Sequence, residues 1–266
     1  MSQLQQAIGA LTADAADLDA LVADLPAARW ATPTPAEGWT VAHQVGHLGF
    51  VFSIAGMASG QPDAFTTMAR SVQGFGAFDA AVNAALADYL RLTPAELLAR
   101  WRRERDAGLA ALAATDENGV VPWLVNPLPP VVLASAGMME VFAHGQDVAD
   151  ALGATRTFTD RIAFLVHFAT RTRDFGYESH GLTPPAAEFR FEVTLPSGAE
   201  LAIGPADAEQ RITGPAVDLC LLVSRRRHHE DLGVKAIGEQ AEQWLEIAQA
   251  YRGPAGAGRT AGQFET

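Results

Sequence analysis

The chain has 266 residues, 48% of them hydrophobic and 19% charged, which supplies enough apolar material for one large or two modest cores. A formal net charge of −12 argues against nucleic acid or an anionic membrane as the main partner. Cys220 is the only cysteine, so no intramolecular disulfide can form, and its apolar neighbours predict a small buried thiol. The amino terminus lacks the basic start and apolar stretch of a secretion signal. No run approaches the roughly 18 apolar residues of a membrane helix, so a cytoplasmic protein is expected.

From Leu4 to Leu25 apolar residues recur at helical spacing among alanines, which predicts a first helix. Pro33, Pro35 and Gly38 break the pattern, and Thr40 can cap a second helix reaching about Ser59. Gly60-Gln61-Pro62 ends it. The stretch from Ala64 to Leu92 reads as helical, bent at Gly74 and Gly76. Thr93-Pro94-Ala95-Glu96 joins a capping threonine, a proline at the first position and a glutamate three residues on, and it opens a helix to about Ala114. The connection from Asp116 to Pro130 contains Trp123 and has the length of loops that cover sites. Helical spacing resumes from Val132 to Leu152, and Thr159-Asp160 opens a further helix to about Tyr177.

The pattern then changes. Phe189 to Leu195 alternates as a strand, Pro196-Ser197-Gly198 turns, and Glu200 to Ile203 answers as a hairpin partner. A third strand at about Gln210 to Thr213 leads into a helix from Ala216 to Arg226. A short strand around Val234 to Ile237 precedes a last helix from Glu239 to Tyr251. The expected architecture is a helical bundle over 1–180 and a small α+β domain over 188–252. A flexible Gly- and Ala-rich tail follows over 253–266.

Two of these helices carry polar stripes. His43 and His47 lie four apart on the second helix, and Glu140, His144 and Asp147 form an i, i+4, i+7 stripe on the helix 132–152. Unpaired imidazoles and carboxylates facing a core are costly, and a shared divalent cation would remove that cost. Two histidines, one glutamate and an open position describe a catalytic zinc centre, with His47, Glu140 and His144 the best trio. His43 and Asp147 are then candidates for orienting a ligand or moving a proton. Zinc, nickel or ferrous iron would suit these donors.

These segments resemble the signature of the DinB-like metal-binding bundles, specifically the mycothiol-dependent maleylpyruvate isomerase family of actinobacteria. Trp39, Thr40, His47 and Leu48 match its Trp-Thr-x6-His-Leu segment, and Glu140, His144 and Asp147 match its Glu-x-x-x-His-x-x-Asp segment. Gly214, Ala216, Asp218 and Leu219, leading to Arg225, are similar to a run in the family's small domain. The resemblance implies a DinB-like four-helix bundle followed by a small α+β domain. It also implies His47, Glu140 and His144 as metal ligands, and Arg225 as a group that helps hold an anionic substrate. A plain helix-end charge is the competing reading of Arg225, which opens the basic cluster 225–229. Trp123 either lines the pocket mouth or anchors its loop. The segments 143–153 and 244–251 look like a branch distinct from the one that carries the isomerase activity, and His43 stands where relatives more often have another polar residue.

The resemblance further implies that the metal binds the sulfur of a low-molecular-weight thiol, mycothiol. The expected activity is a thiol-assisted isomerase or transferase acting on a small unsaturated or electrophilic substrate. A thiol-independent metal lyase, hydratase, hydrolase or cyclase of secondary metabolism is the first alternative. A non-catalytic metal-containing binding module is the second.

Overall fold

The computed structural model describes residues 1–71, 75–124 and 126–264, which form ten α-helices and four strands. The chain packs as two compact units, Met1–Arg156 and Thr157–Thr266. The division falls earlier than the link at 180–187 suggested by composition. Helices 163–179 belong by packing to the second unit.

The first unit is built on α1 (Gln3–Val22), α2 (Val41–Gly60), α5 (Pro94–Ala113) and α6 (Pro130–Leu152). Contacts run from α1 to α6, α6 to α2, α2 to α5 and α5 back to α1, closing a ring of four helices. Local chemistry sets the ends. Ser2 with Gln5, and Thr93 with Glu96, form capping boxes, and Gly153 ends α6 in the left-handed conformation at φ 67°. The stretch expected as helical over 64–92 is helical where it is described, over α3 (Pro62–Ser71) and α4 (Phe75–Leu90), both packed on α2, and 72–74 lie outside the described residues. Of the two glycines at the expected bend, Gly74 lies outside the described residues and Gly76 falls within α4.

Helix α2 is long and apolar enough to cross a membrane, which corrects the expectation that no segment would be. The same property suits a helix at the centre of a bundle, and about half of this one is buried inside the protein. Glycines let α2 approach α5 closely. A Cβ on Gly108 would stand 2.6 Å from the Phe52 carbonyl oxygen, and one on Gly56 would stand 3.1 Å from the Gly108 Cα.

The second unit contains α7 (Ala163–Arg171), α8 (Asp174–Ser179), β1 (Phe189–Thr194), β2 (Glu200–Ile203), β3 (Gln210–Pro215), α9 (Ala216–Val223), β4 (Lys235–Ile237) and α10 (Glu239–Ile247). A short 3-10 turn, Asp160–Ile162, precedes α7, so the helix expected from Thr159 to Tyr177 is three pieces. The sheet order is β2-β1-β3-β4, with β1 parallel to β3 and the other pairs antiparallel. Phe189, Phe191 and Val193 alternate inward, and the fully buried Trp244 packs edge-on to both phenylalanines. Cys220 is buried, as its apolar run implies. Arg173 explains why α7 and α8 join this unit. Its guanidinium donates to the Ala187 and Pro185 carbonyls, and its own carbonyl accepts from the Trp244 indole. The tail lies against the segment after α9, with Gly262 N–H donating to Asp231 and Phe264 beneath the Arg227 guanidinium.

Two outcomes follow from the packing of the first unit. Gly108→Ala should cost about 1–3 kcal/mol, because its methyl must push α2 and α5 apart. A lowered urea midpoint would show this, and an unchanged midpoint would mean the crossing yields freely. Asp19 on α1 receives a fork from Arg102 on α5 at 2.9 and 2.7 Å and a further bond from Arg105 at 3.2 Å. The Arg102 hydrogen bonds, aided by the charges of both arginines, outweigh burial and hold this carboxyl below its usual range. Asp19→Asn should therefore lower stability near neutral pH. The cost is about 1 kcal/mol, because Arg102 is 42% exposed and water screens the pair. A depressed carboxyl contributes above its unfolded value of about 3.9 and loses that contribution as pH falls through the lower folded value. Wild type and variant should accordingly converge in strong acid in pH-dependent urea melts.

Candidate metal centre

The turn before α2 prepares the site. Thr34 donates to the Trp39 carbonyl through both its N–H and its hydroxyl, at 2.8 and 3.1 Å, and Gly38 takes φ 75° to close the turn. Trp39 is thereby held half-buried over a group of imidazoles. Its ring stacks on His144 at 5.8 Å and meets the edge of His47 at 5.4 Å. Sequence reasoning placed Trp39 in a motif without giving it a task. Its contacts come from a turn outside the helix and have no helical period that could reveal them.

His47 stands on α2, and Glu140 and His144 lie one turn apart on the neighbouring α6. Their ligating atoms all lie within 4.8 Å of one another and could hold a metal ion. The Glu140 Oε2 atom is 3.4 Å from His47 Nε2 and 3.2 Å from His144 Nε2. Charge-assisted hydrogen bonds are shorter, about 2.7–2.9 Å. Donors about 2.0–2.1 Å from a tetrahedral zinc would be about 3.3–3.4 Å apart, which is close to the spacing found. Two nitrogens and a carboxylate oxygen are also the donors of open, catalytic centres of this type, so the residues present fit a divalent cation. Burial pushes the Glu140 carboxyl up, but hydrogen bonds and charge from His144 and His47 outweigh it and hold the carboxyl well below its usual range.

The remaining sequence candidates separate clearly. His43 is not part of the converging trio. Its Nδ1 accepts from the Thr40 N–H at 3.2 Å and lies 2.8 Å from the Thr40 hydroxyl, so it closes the start of α2, and burial holds its imidazole below the ordinary value. Asp147 is fully buried and reaches the trio through Gln44, a residue that sequence reasoning passed over. Gln44 Nε2 donates to Thr34 Oγ1 at 2.8 Å and to Asp147 at 3.4 Å, while Gln44 Oε1 lies 2.5 Å from His144 Nδ1. Trp123 stacks on the buried Phe65 of α3 with rings 5.7 Å apart and nearly parallel, which gives its loop an anchor. Arg225 belongs to the second unit. There it takes a left-handed backbone at φ 56°, donates to the Gly256 carbonyl, and lines a cavity of about 470 Å³ with Arg227, His228, His229 and Arg259.

A family model for the mycothiol maleylpyruvate isomerase N-terminal domain matches residues 11–149, more than half of the chain. The chain belongs to this family. The matched span holds α2 and all of α6 but its last three residues, so the maleylpyruvate isomerase family likeness rests on the part of the molecule that builds the trio. Two uncharacterised proteins of Mycobacterium tuberculosis, from strains CDC 1551 and H37Rv, are each 45% identical over 253 residues. The alignments cover 94% of this chain and 96% of each relative. Crystal structures of a mycothiol-dependent maleylpyruvate isomerase and of its histidine-to-alanine variant match with TM-scores of 0.59 at 17% and 16% identity. They cover 88% of this chain and 92% of theirs. At that identity the structural match establishes the fold: a DinB-like helical bundle followed by a small α+β part.

Proposed function

We propose that this protein is a divalent-metal enzyme of the thiol-assisted isomerase or transferase type, acting on a small unsaturated or electrophilic substrate with mycothiol as co-substrate. The observation that carries the proposal is the convergence of His47, His144 and Glu140, with both histidine Nε2 atoms at a tetrahedral donor spacing from Glu140 Oε2. A divalent cation held there would act as a Lewis acid and lower the pKa of a thiol or water bound to it. Zinc is the metal proposed, with nickel or ferrous iron as alternatives, since the donor types suit all three.

The chain's own residues prepare this chemistry. His47 and His144 offer nitrogen from two different helices, so the site depends on the α2–α6 contact. Glu140 places one negative charge between them. Trp39 covers the imidazoles and excludes water from that side, which strengthens the electrostatic interactions beneath it. Arg225 is the proposed anion-binding residue. Its support is the arginine- and histidine-lined cavity of the second unit, in a chain that is otherwise strongly acidic.

A second reading keeps the metal and drops the thiol, giving a lyase, hydratase, hydrolase or cyclase. The low identity to the solved isomerase, set beside the 45% identity to uncharacterised proteins, favours keeping it.

Two measurements test these readings. Purified protein should contain stoichiometric divalent metal, and His47→Ala should lose it; full metal retention in that variant would refute the ligand set. Metal-loaded protein titrated with mycothiol should bind it in calorimetry. Absence of binding at millimolar thiol would sink the thiol-assisted reading and leave the second.

A further inference from the structure

We infer that Gln44 is a positioning residue that fixes the tautomer of His144 and links the metal-binding nitrogen to the buried Asp147. The inference rests on the metal reading above only for its consequence, since the hydrogen-bond network that carries it is independent of any ion.

The amide of Gln44 is fully buried between the two site-bearing helices, where every polar atom needs a partner. A glutamine can be turned end for end, so its orientation has to follow from its neighbours. Thr34 decides it first. The Thr34 hydroxyl hydrogen is given to the Trp39 carbonyl, so the hydroxyl oxygen facing Gln44 at 2.8 Å can only accept. Asp147 decides it again, because its Oδ2 lies 3.4 Å from the same end of the amide and a carboxylate accepts. Both neighbours require NH₂ at that end. The carbonyl oxygen of Gln44 must then face His144 Nδ1 at 2.5 Å, and that nitrogen must carry the hydrogen.

A neutral imidazole protonated on Nδ1 has its lone pair on Nε2. That is the atom 3.2 Å from Glu140 Oε2, where two acceptors would face each other with nothing between them. A cation between them, or a second proton on Nε2 that the cation would displace, resolves the conflict; with Nδ1 committed to the amide, Nε2 is the His144 nitrogen left for a metal. Asp147 acts at one remove. It holds the amide, and the amide holds the ring.

Helix geometry makes the arrangement possible. Gln44 and His47 are three apart on α2, and His144 and Asp147 are three apart on α6, so each helix presents a matched pair on one face. A carboxylate at position 44 would also accept from His144, but it would face Asp147 with like charge. An aliphatic residue would leave Nδ1–H and Asp147 without this partner.

The test reads the tautomer directly. In metal-free protein with ¹⁵N-labelled histidine, at a pH where the ring is neutral, His144 should show Nδ1–H and a bare Nε2. Gln44→Leu should lose that preference, and Nε2–H in the wild type would overturn the inference. Chelator competition then reads the consequence. Gln44→Leu should weaken metal binding by about 10- to 100-fold with the helical circular-dichroism signal retained. The double variant Gln44→Glu/Asp147→Asn keeps an acceptor on His144 and places a donor opposite it, so it should recover most of the lost affinity. Wild-type affinity in a folded Gln44→Leu, or no recovery in the double variant, would overturn the inference. If the wild type binds no metal while the tautomer shift stands, the metal reading fails and the role of Gln44 does not.

Discussion

The contact between α2 and α6 is the constraint on which the site depends. Most of what these helices present to one another is apolar, yet Gln44 and Asp147 are fully buried in the same seam, beside half-buried His47, Glu140 and His144. Desolvating such groups costs several kcal/mol each unless every one finds a partner. The seam is therefore ordered as a chain of hydrogen bonds running from the Trp39 carbonyl through Thr34, Gln44 and His144 to the trio. The fold supplies the walls: α5 supports α2 through glycine contacts at Gly56 and Gly108, and α1 supports α6.

That support bears on ligand geometry. Ligands drawn from two helices keep their spacing only as well as the helices keep theirs, and a metal centre tolerates displacements of a few tenths of an ångström. The close α2–α5 crossing and the Arg102–Asp19 fork between α5 and α1 limit sliding around the ring of helices. Arg156 secures α6 in a similar way. It donates to the Phe142 carbonyl and to Gln146, on the helix that carries Glu140 and His144, and burial lowers its pKa to about 10.

Much of this was legible in the sequence because it has a period. Glu140 and His144 are four apart in an apolar helix, and His47 follows a tryptophan–threonine start that caps its helix, so the two helices and five candidate donors could be named from spacing, and the family resemblance narrowed the donors to the trio. The alternating Phe189, Phe191 and Val193 announced the sheet in the same way. What lacked a period was missed. Gln44 is a single amide within an apolar run, and only a partner a hundred residues distant gives it meaning. His43 shares an i, i+4 relation with His47, yet its Nδ1 faces Thr40 at the helix start, a local contact that the spacing does not reveal. The assignment of α7 and α8 to the second unit depends on tertiary contacts that local pattern does not encode.

The choice of an amide rather than a carboxylate beside His144 has an electrostatic consequence. With Glu140 as the one anionic donor among three, a divalent cation in the trio would keep a net positive charge at its open position. A carboxylate in direct contact with His144 would reduce that field and make the imidazole more basic. Placing a neutral amide between them holds the Asp147 charge one side chain farther away while still using it to orient the ring. Coulomb attraction falls with distance, and it is felt more strongly in a seam from which water is excluded. With a divalent cation held there, the arrangement would favour an anionic fourth ligand, as a thiolate or hydroxide would be.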